Sequence, residues 1–199
     1  MITGIILASG FSNRMKRDKL LMEIEGIPMV ERVIQSSIKS KLDEVILVYR
    51  VNEVKKLGIK YGVKLVYNPK AHLGQSEGLK LGVKEAKPGA YMFLMGDMPF
   101  ITEDLINRLI EEFIEDESNI IVPYYNNKRG MPTIFPYSLR GELLNIEGDI
   151  GGRRIIEDNP FLVKKVYIDN CILGLDIDTQ EEYKRWDSGD GFSCPRKRR

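Results

Sequence analysis

The chain is poor in the residues that most often announce catalytic chemistry. It has one histidine, His72, and two cysteines, Cys171 and Cys194, in unrelated contexts. A nucleophilic triad or a zinc site needs more of these residues in closer company, so neither is expected. Two separated cysteines fit free thiols in a reducing compartment better than a disulfide framework. Charge excess is also missing. The 30 basic residues face 29 acidic ones, which removes any global attraction to nucleic acid or to an anionic membrane. No apolar run is long enough to span a bilayer, and Ile5-Ile6-Leu7-Ala8 follows no basic leader. The expectation is a cytoplasmic protein with no nucleic-acid or membrane partner. Both common phosphate loops are absent as well: neither G-x-x-x-x-G-K-[ST] nor G-x-G-x-x-G occurs here, because Gly10 is the only glycine between Gly4 and Gly26.

What the chain does have is 199 residues at 43% hydrophobic content, enough for one core and one domain. Short β-branched runs at 3–8, 45–49, 64–67, 91–95 and 120–122 read as strands. Segments of helical period separate them. One opens with Pro28 in its first turn and repeats apolar residues at Val30, Val33, Ile34 and Ile38; another carries Leu105, Leu109 and Phe113 behind a Thr102 cap. This alternation predicts an α/β fold, a mostly parallel sheet with helices on both faces. From Pro123 the rhythm changes: 124–129 reads as a polar turn, 133–135 and 163–168 as late strands, and 181–186 as a final helix capped by Asp178 or Thr179. The predicted domain spans 1–186, followed by a disordered basic tail at 187–199.

Candidate chemistry gathers where strands end. Leu7-Ala8-Ser9-Gly10 leaves the first strand into a small-residue turn, with Arg14 and Lys19 close behind, which is a way to hold nucleotide phosphates. Met95-Gly96-Asp97-Met98-Pro99 puts a carboxylate just past another strand. Asp97 suits a turn cap or a divalent cation, and the phosphate loop beside it favours the cation, since magnesium needs only one or two carboxylates plus substrate phosphates. Gln75 and Ser76 open a helix at Gly74 and either face the ligand or cap the helix. Asp149, Asp176 and Asp178 each suit a shared cation or a turn.

These blocks, in the order Leu7-Ala8-Ser9-Gly10-x-Ser12-x-Arg14-Met15 with Lys19, Gly74-Gln75-Ser76, Gly96-Asp97-Met98-Pro99, Gly130-Met131-Pro132, Gly148-Asp149-x-Gly151 and Asp176-Ile177-Asp178-Thr179, resemble the molybdenum cofactor nucleotidyltransferases. The cytidylyltransferase branch is the more similar. Guanylyl relatives usually read Leu-Ala-Gly-Gly at the loop and cytidylyl ones Leu-Ala-Ala-Gly; Ser9 matches neither but is closer in size to alanine. Met131 departs from the histidine usual in cytidylyl members.

The resemblance implies a Rossmann-like three-layer α/β/α domain of the nucleotide-diphospho-sugar transferase type. It implies transfer of CMP from CTP to the terminal phosphate of molybdopterin, with GTP as the alternative donor and a sugar phosphate or other phosphorylated alcohol as alternative acceptor. A nucleotide-sensing module is the non-enzymatic rival. Carried onto this chain, Leu7, Ala8, Ser9, Gly10, Arg14, Lys19, Gln75, Ser76 and Asp97 would hold the nucleotide, and Arg14, Lys19 and Asp97 would act in catalysis. Asp97 would bind Mg2+, or Mn2+, with Asp178 and more weakly Asp176 or Asp149. Gly130, Pro132, Asp149 and Gly151 would face the pterin. A molybdoenzyme would accept the product.

Overall fold

The computed structural model describes residues 1–11, 18–148 and 151–187. The readings on Arg14, Asp149 and the tail beyond residue 187 lie outside them. The chain runs β1 (Ile2–Ala8), the small hairpin β2 (Glu23–Ile24) and β3 (Ile27–Pro28), α1 (Met29–Lys39), β4 (Glu44–Tyr49), α2 (Asn52–Lys60), β5 (Lys64–Tyr67), α3 (Gln75–Glu85) and β6 (Ala90–Met95). It continues with α4 (Glu103–Glu115), β7 (Ile120–Tyr125), β8 (Lys128–Arg129), β9 (Thr133–Phe135), α5 (Arg140–Leu144), α6 (Arg153–Asp158), β10 (Val163–Ile168) and α7 (Gln180–Asp187).

Among the described residues one large sheet has the order β10-β7-β9-β6-β1-β4-β5, with β8 paired to β7. β1 lies centrally, parallel to β4 on one side and to β6 on the other, with Ile5 beside both Ile46 and Phe93. Successive strand residues then face opposite layers. Ile6, Leu47, Met92 and Leu94 pack in one core with residues of α1, α2 and α4, while Ile5, Ile46, Tyr91 and Phe93 pack in a second with residues of α3, α5 and α6. The three-layer expectation holds. β9 runs antiparallel to β6 and β7, which makes the sheet mixed.

Several local expectations change. Pro28 stands at the cap position before α1 and pairs in the β2–β3 hairpin, one residue ahead of its predicted place. Segment 124–129 is a β-hairpin: Asn126 and Asn127 take φ of 48° and 65°, the left-handed pair that a two-residue turn between twisted strands requires. The tyrosines before it extend β7 to Tyr125. Cys171 is disulfide-bonded, which corrects the expectation of free thiols. Thr102 caps α4 as expected, accepting from the Leu105 N–H at 3.3 Å, and Thr179 Oγ1 accepts from the Glu182 N–H at 3.2 Å.

Candidate active site

The chain leaves β1 towards β4 on one side, and β6 is added on the other side of β1. Strand order therefore reverses between β1 and β6, and the crevice beyond their carboxyl ends is where open α/β sheets receive ligands. Gly96 lets the two ends meet. Its N–H donates to Leu7 O at 3.1 Å, and a Cβ there would lie only 3.3 Å from Ala8 Cβ.

Lys19, in a short 3-10 turn opened by Asp18, enters this crevice. Its Nζ lies 2.6 Å from Asp97 Oδ2 and 2.6 Å from Asp178 Oδ1. Burial, the largest single influence, pulls the Lys19 pKa down, yet the two carboxylates outweigh it and leave the pKa above the ordinary lysine value. Asp178 arrives from 81 residues beyond Asp97 because Ile177 is anchored: the Ile177 side chain is fully buried beside Ile24, Met29 and Phe100, and its N–H donates to Asp97 O at 3.2 Å. Flanking aspartates are thus turned towards the end of β6. Burial and then the neighbouring Asp178 and Asp97 push the Asp176 carboxyl up.

The donor set suits a hard divalent cation. Asp97 Oδ1 is buried without a hydrogen-bond partner among the described residues, and the ammonium between Asp97 and Asp178 already holds a cationic charge there. No group of three or more His, Cys, Asp or Glu among the described residues is arranged to hold a metal. The remaining ligands would have to come from substrate and water.

One pocket opens on this centre and a second adjoins the first. The first, about 410 Å³, is lined by Ser9, Gly10, Phe11, Lys19, His72, Gln75 and Asp97 among others. The second, about 280 Å³, lies over β6 and β9, with an apolar floor including Leu79, Phe93 and Phe135 and with Arg129 and Arg153 in its lining. Leu7, Gln75 and Met95 belong to both. Gly74, at φ 109°, makes the turn that presents Gln75 at this boundary.

Of the predicted residues, Leu7, Ser9, Gly10, Lys19, Gln75 and Asp97 line the first pocket. Ala8 is buried at the end of β1. Gly130 and Gly151 line the second pocket, where Gly151, at φ 56°, approaches Gln75 closely. Pro132 follows Met131 of that pocket through a cis bond. Ser76 is different: it is 1% exposed, lines neither pocket, and its N–H donates to Gly148 O at 3.3 Å. It ties α3 to the glycine turn. Ser9 Oγ accepts from buried Asn68 Nδ2 at 2.9 Å, so its side chain is engaged with the residue that follows β5.

Sequence reasoning passes over Arg50, Asn68 and Arg129. Arg50 and Asn68 directly follow β4 and β5, and the rule that ligands sit beyond strand ends would have found both. The Arg50 guanidinium lies 4.3 Å from the Phe11 ring centroid and 3.6 Å from Asp18 Oδ2, with its Nε buried and unpartnered among the described residues. Arg129 and Arg153 both meet Glu157, at 3.5 and 2.8 Å.

A central crossover sheet, a reversal crevice holding a lysine between two aspartates, and two adjoining pockets define a nucleotide-transferase type of fold and site. Residues 4–164 match the MobA-like NTP transferase domain, and the chain belongs to that family. A relative from Natranaerobius thermophilus, named a probable molybdenum cofactor guanylyltransferase, is 35% identical over 125 residues, covering 61% of this chain and 60% of that one. The chain thus spans less than two thirds of that relative. Bacillus subtilis purine catabolism protein PucB is 27% identical over 92% of this chain and 94% of its own length. The structure of Rv0371c from Mycobacterium tuberculosis in complex with manganese superposes with a TM-score of 0.79 at 23% identity, covering 93% of this chain and 97% of that one, which is a likeness of fold. No helix among the described residues is long and apolar enough to cross a membrane.

Proposed function

We propose that this protein transfers a nucleoside monophosphate from a nucleoside triphosphate to the terminal phosphate of a molybdopterin-type acceptor, releasing pyrophosphate. The observation that carries this reading is the Lys19 ammonium, 2.6 Å from carboxylates on two separate segments, in the lining of a first pocket that shares Leu7, Gln75 and Met95 with a second. The first pocket takes the nucleotide and the second the acceptor. An acceptor phosphate has its second pKa near 6 and is largely ionised at neutral pH. It needs no strong base, in keeping with a chain that has one histidine. An acceptor oxygen attacks the α-phosphorus, and the bond from that phosphorus to the β-phosphate oxygen breaks. The electron pair leaves with pyrophosphate.

The protein's task is alignment and charge neutralisation. Lys19 faces the phosphates, Gly10 gives the loop backbone close approach, and Gln75 orients groups at the boundary between the substrates. Asp97 and Asp178 would hold Mg2+ or Mn2+, which when bound neutralises charge on the phosphates; the manganese complex of the Mycobacterium tuberculosis homologue in fold supports a divalent ion. Arg14 and Asp149 remain part of the proposal for the phosphates and the acceptor side.

CTP is the proposed donor. Ser9 carries a side chain, bonded to Asn68, where the guanylyl pattern usually has glycine, and it lines the first pocket. The guanylyltransferase name of the relative supports GTP as the second reading. Pyrophosphate release, measured with each of the four nucleoside triphosphates, Mg2+ or Mn2+, and molybdopterin, separates them. Release with CTP only when molybdopterin is present is expected. Preference for GTP favours the second reading, and tight nucleotide binding with no turnover on molybdopterin or a sugar phosphate makes the protein a binding module.

A further inference from the structure

Tyr125 closes β7 and is 7% exposed. Its hydroxyl donates to Met131 O at 2.7 Å. One edge of its ring, Cδ2 and Cε2, occupies the space beside two glycines from separate parts of the chain. A Cβ at Gly130 or at Gly174 would come within 2.5 Å of that edge, so glycine at both positions is what admits the ring. Gly130 and Met131 line the second pocket. Gly174 ends the 3-10 turn Cys171–Gly174, which leads two residues on to Asp176 and four residues on to Asp178. Cys171 and Tyr125 share one buried cluster, with Met131 and Leu173 packed against it.

We infer that Tyr125 is a positioning residue that clamps the acceptor-side wall to the segment carrying Asp176 and Asp178. The ring holds the turn, and the hydroxyl holds the wall. Burial keeps the phenol above the usual tyrosine range, so the hydroxyl remains a donor at any pH at which the protein works. The inference rests on the reading of the second pocket as the acceptor's, and its consequence is geometric. In-line attack needs the acceptor and the carboxylates at a fixed separation, and small displacements are costly in rate.

Two variants separate the ring from the hydroxyl. Tyr125→Phe keeps the ring and frees the Met131 carbonyl. The KM for molybdopterin should rise about 3- to 10-fold, the span of one neutral hydrogen bond. The KM for the nucleotide should stay within about twofold, and Mn2+ affinity in the presence of a non-hydrolysable nucleotide, read by electron paramagnetic resonance, should be unchanged. Gly174→Ala pushes against the ring edge and should weaken that Mn2+ affinity by about threefold or more while the protein still melts cooperatively. The Mn2+ measurement needs no acceptor, so absence of turnover in the wild type would defeat the proposed function and leave this coupling readable. Wild-type Mn2+ affinity in Gly174→Ala would overturn the inference. An unchanged acceptor KM in Tyr125→Phe, or a parallel loss of kcat, both KM values and thermal stability, would reduce Tyr125 to packing and overturn it equally.

Discussion

Burial alone would lower the Lys19 pKa; Asp97 and Asp178 outweigh it and hold the pKa above the ordinary lysine value. If the ammonium charge stabilises the departing pyrophosphate, Lys19→Ala lowers kcat by about 10²-fold or more, as removal of other transition-state donors does. A rise in nucleotide KM with kcat unchanged would assign Lys19 to ground-state binding instead. Asp97→Asn should fold, because the carboxylate stands past the strand and outside the core, and should lose both pyrophosphate release and Mn2+ binding. A folded variant turning over at near the wild-type rate would remove Asp97 from the site. Lys19 and Asp97 were legible in the sequence because each stands close behind an apolar strand. Asp178 was legible only as one of three candidates. What distinguishes it is its contact with Lys19, made possible by the long-range burial of Ile177 and the bond from Ile177 N–H to Asp97 O, and none of these has a local signature. Ser76 shows the converse: a polar residue at a helix start is equally suited to facing a ligand and to being buried under a loop, and it is buried here with its N–H on Gly148 O.

Helix α3 lies so close to β1 that a Cβ at Gly82 would overlap Ile5 Cγ2. Overpacking costs about 1–3 kcal/mol, more than the roughly 1 kcal/mol that alanine gains over glycine in a helix. Gly82→Ala should therefore lower the melting temperature, and an increase would show that the sheet yields there. Helices α1 and α2 are joined through buried Glu31, which accepts from Lys60 Nζ at 2.7 Å and from Tyr61 Oη at 2.6 Å. Burial pushes the Glu31 carboxyl up, but those donors outweigh it and hold it below the ordinary 4.5. Its contribution is present above that value and lost as pH falls through the lower native one. Glu31→Gln should melt about 2–4 °C lower at neutral pH, a modest effect because Lys60 is largely in water. The deficit should shrink as melts are taken to progressively lower pH below 4.5; a deficit independent of pH would mean that packing, and not charge, is lost. The strands of the central sheet were legible because their side chains alternate between two dry layers. The 124–129 hairpin was not, since its two asparagines read equally as loop and as turn, and β2–β3 is too short for any periodicity to register.

Across the whole molecule, the ligand crevice is built from both ends of the chain, β1 and the segment after β10, so nucleotide binding should stabilise the entire fold. At about a hundredfold excess over Kd the gain is about 2.7 kcal/mol, or roughly 5–10 °C for a chain of this size. Thermal melts with CTP and Mn2+ should show that rise in the wild type and little of it in Asp97→Asn; equal rises would mean that the nucleotide binds without the carboxylate. The shared lining of Leu7, Gln75 and Met95 leaves no partition thicker than a side chain between the two pockets. A single molecule joining a cytidine polyphosphate to a pterin phosphate could occupy both at once. Its second half would bind at the millimolar local concentration a short tether confers, so such a chelating inhibitor should exceed the affinity of either half by about 10²-fold or more.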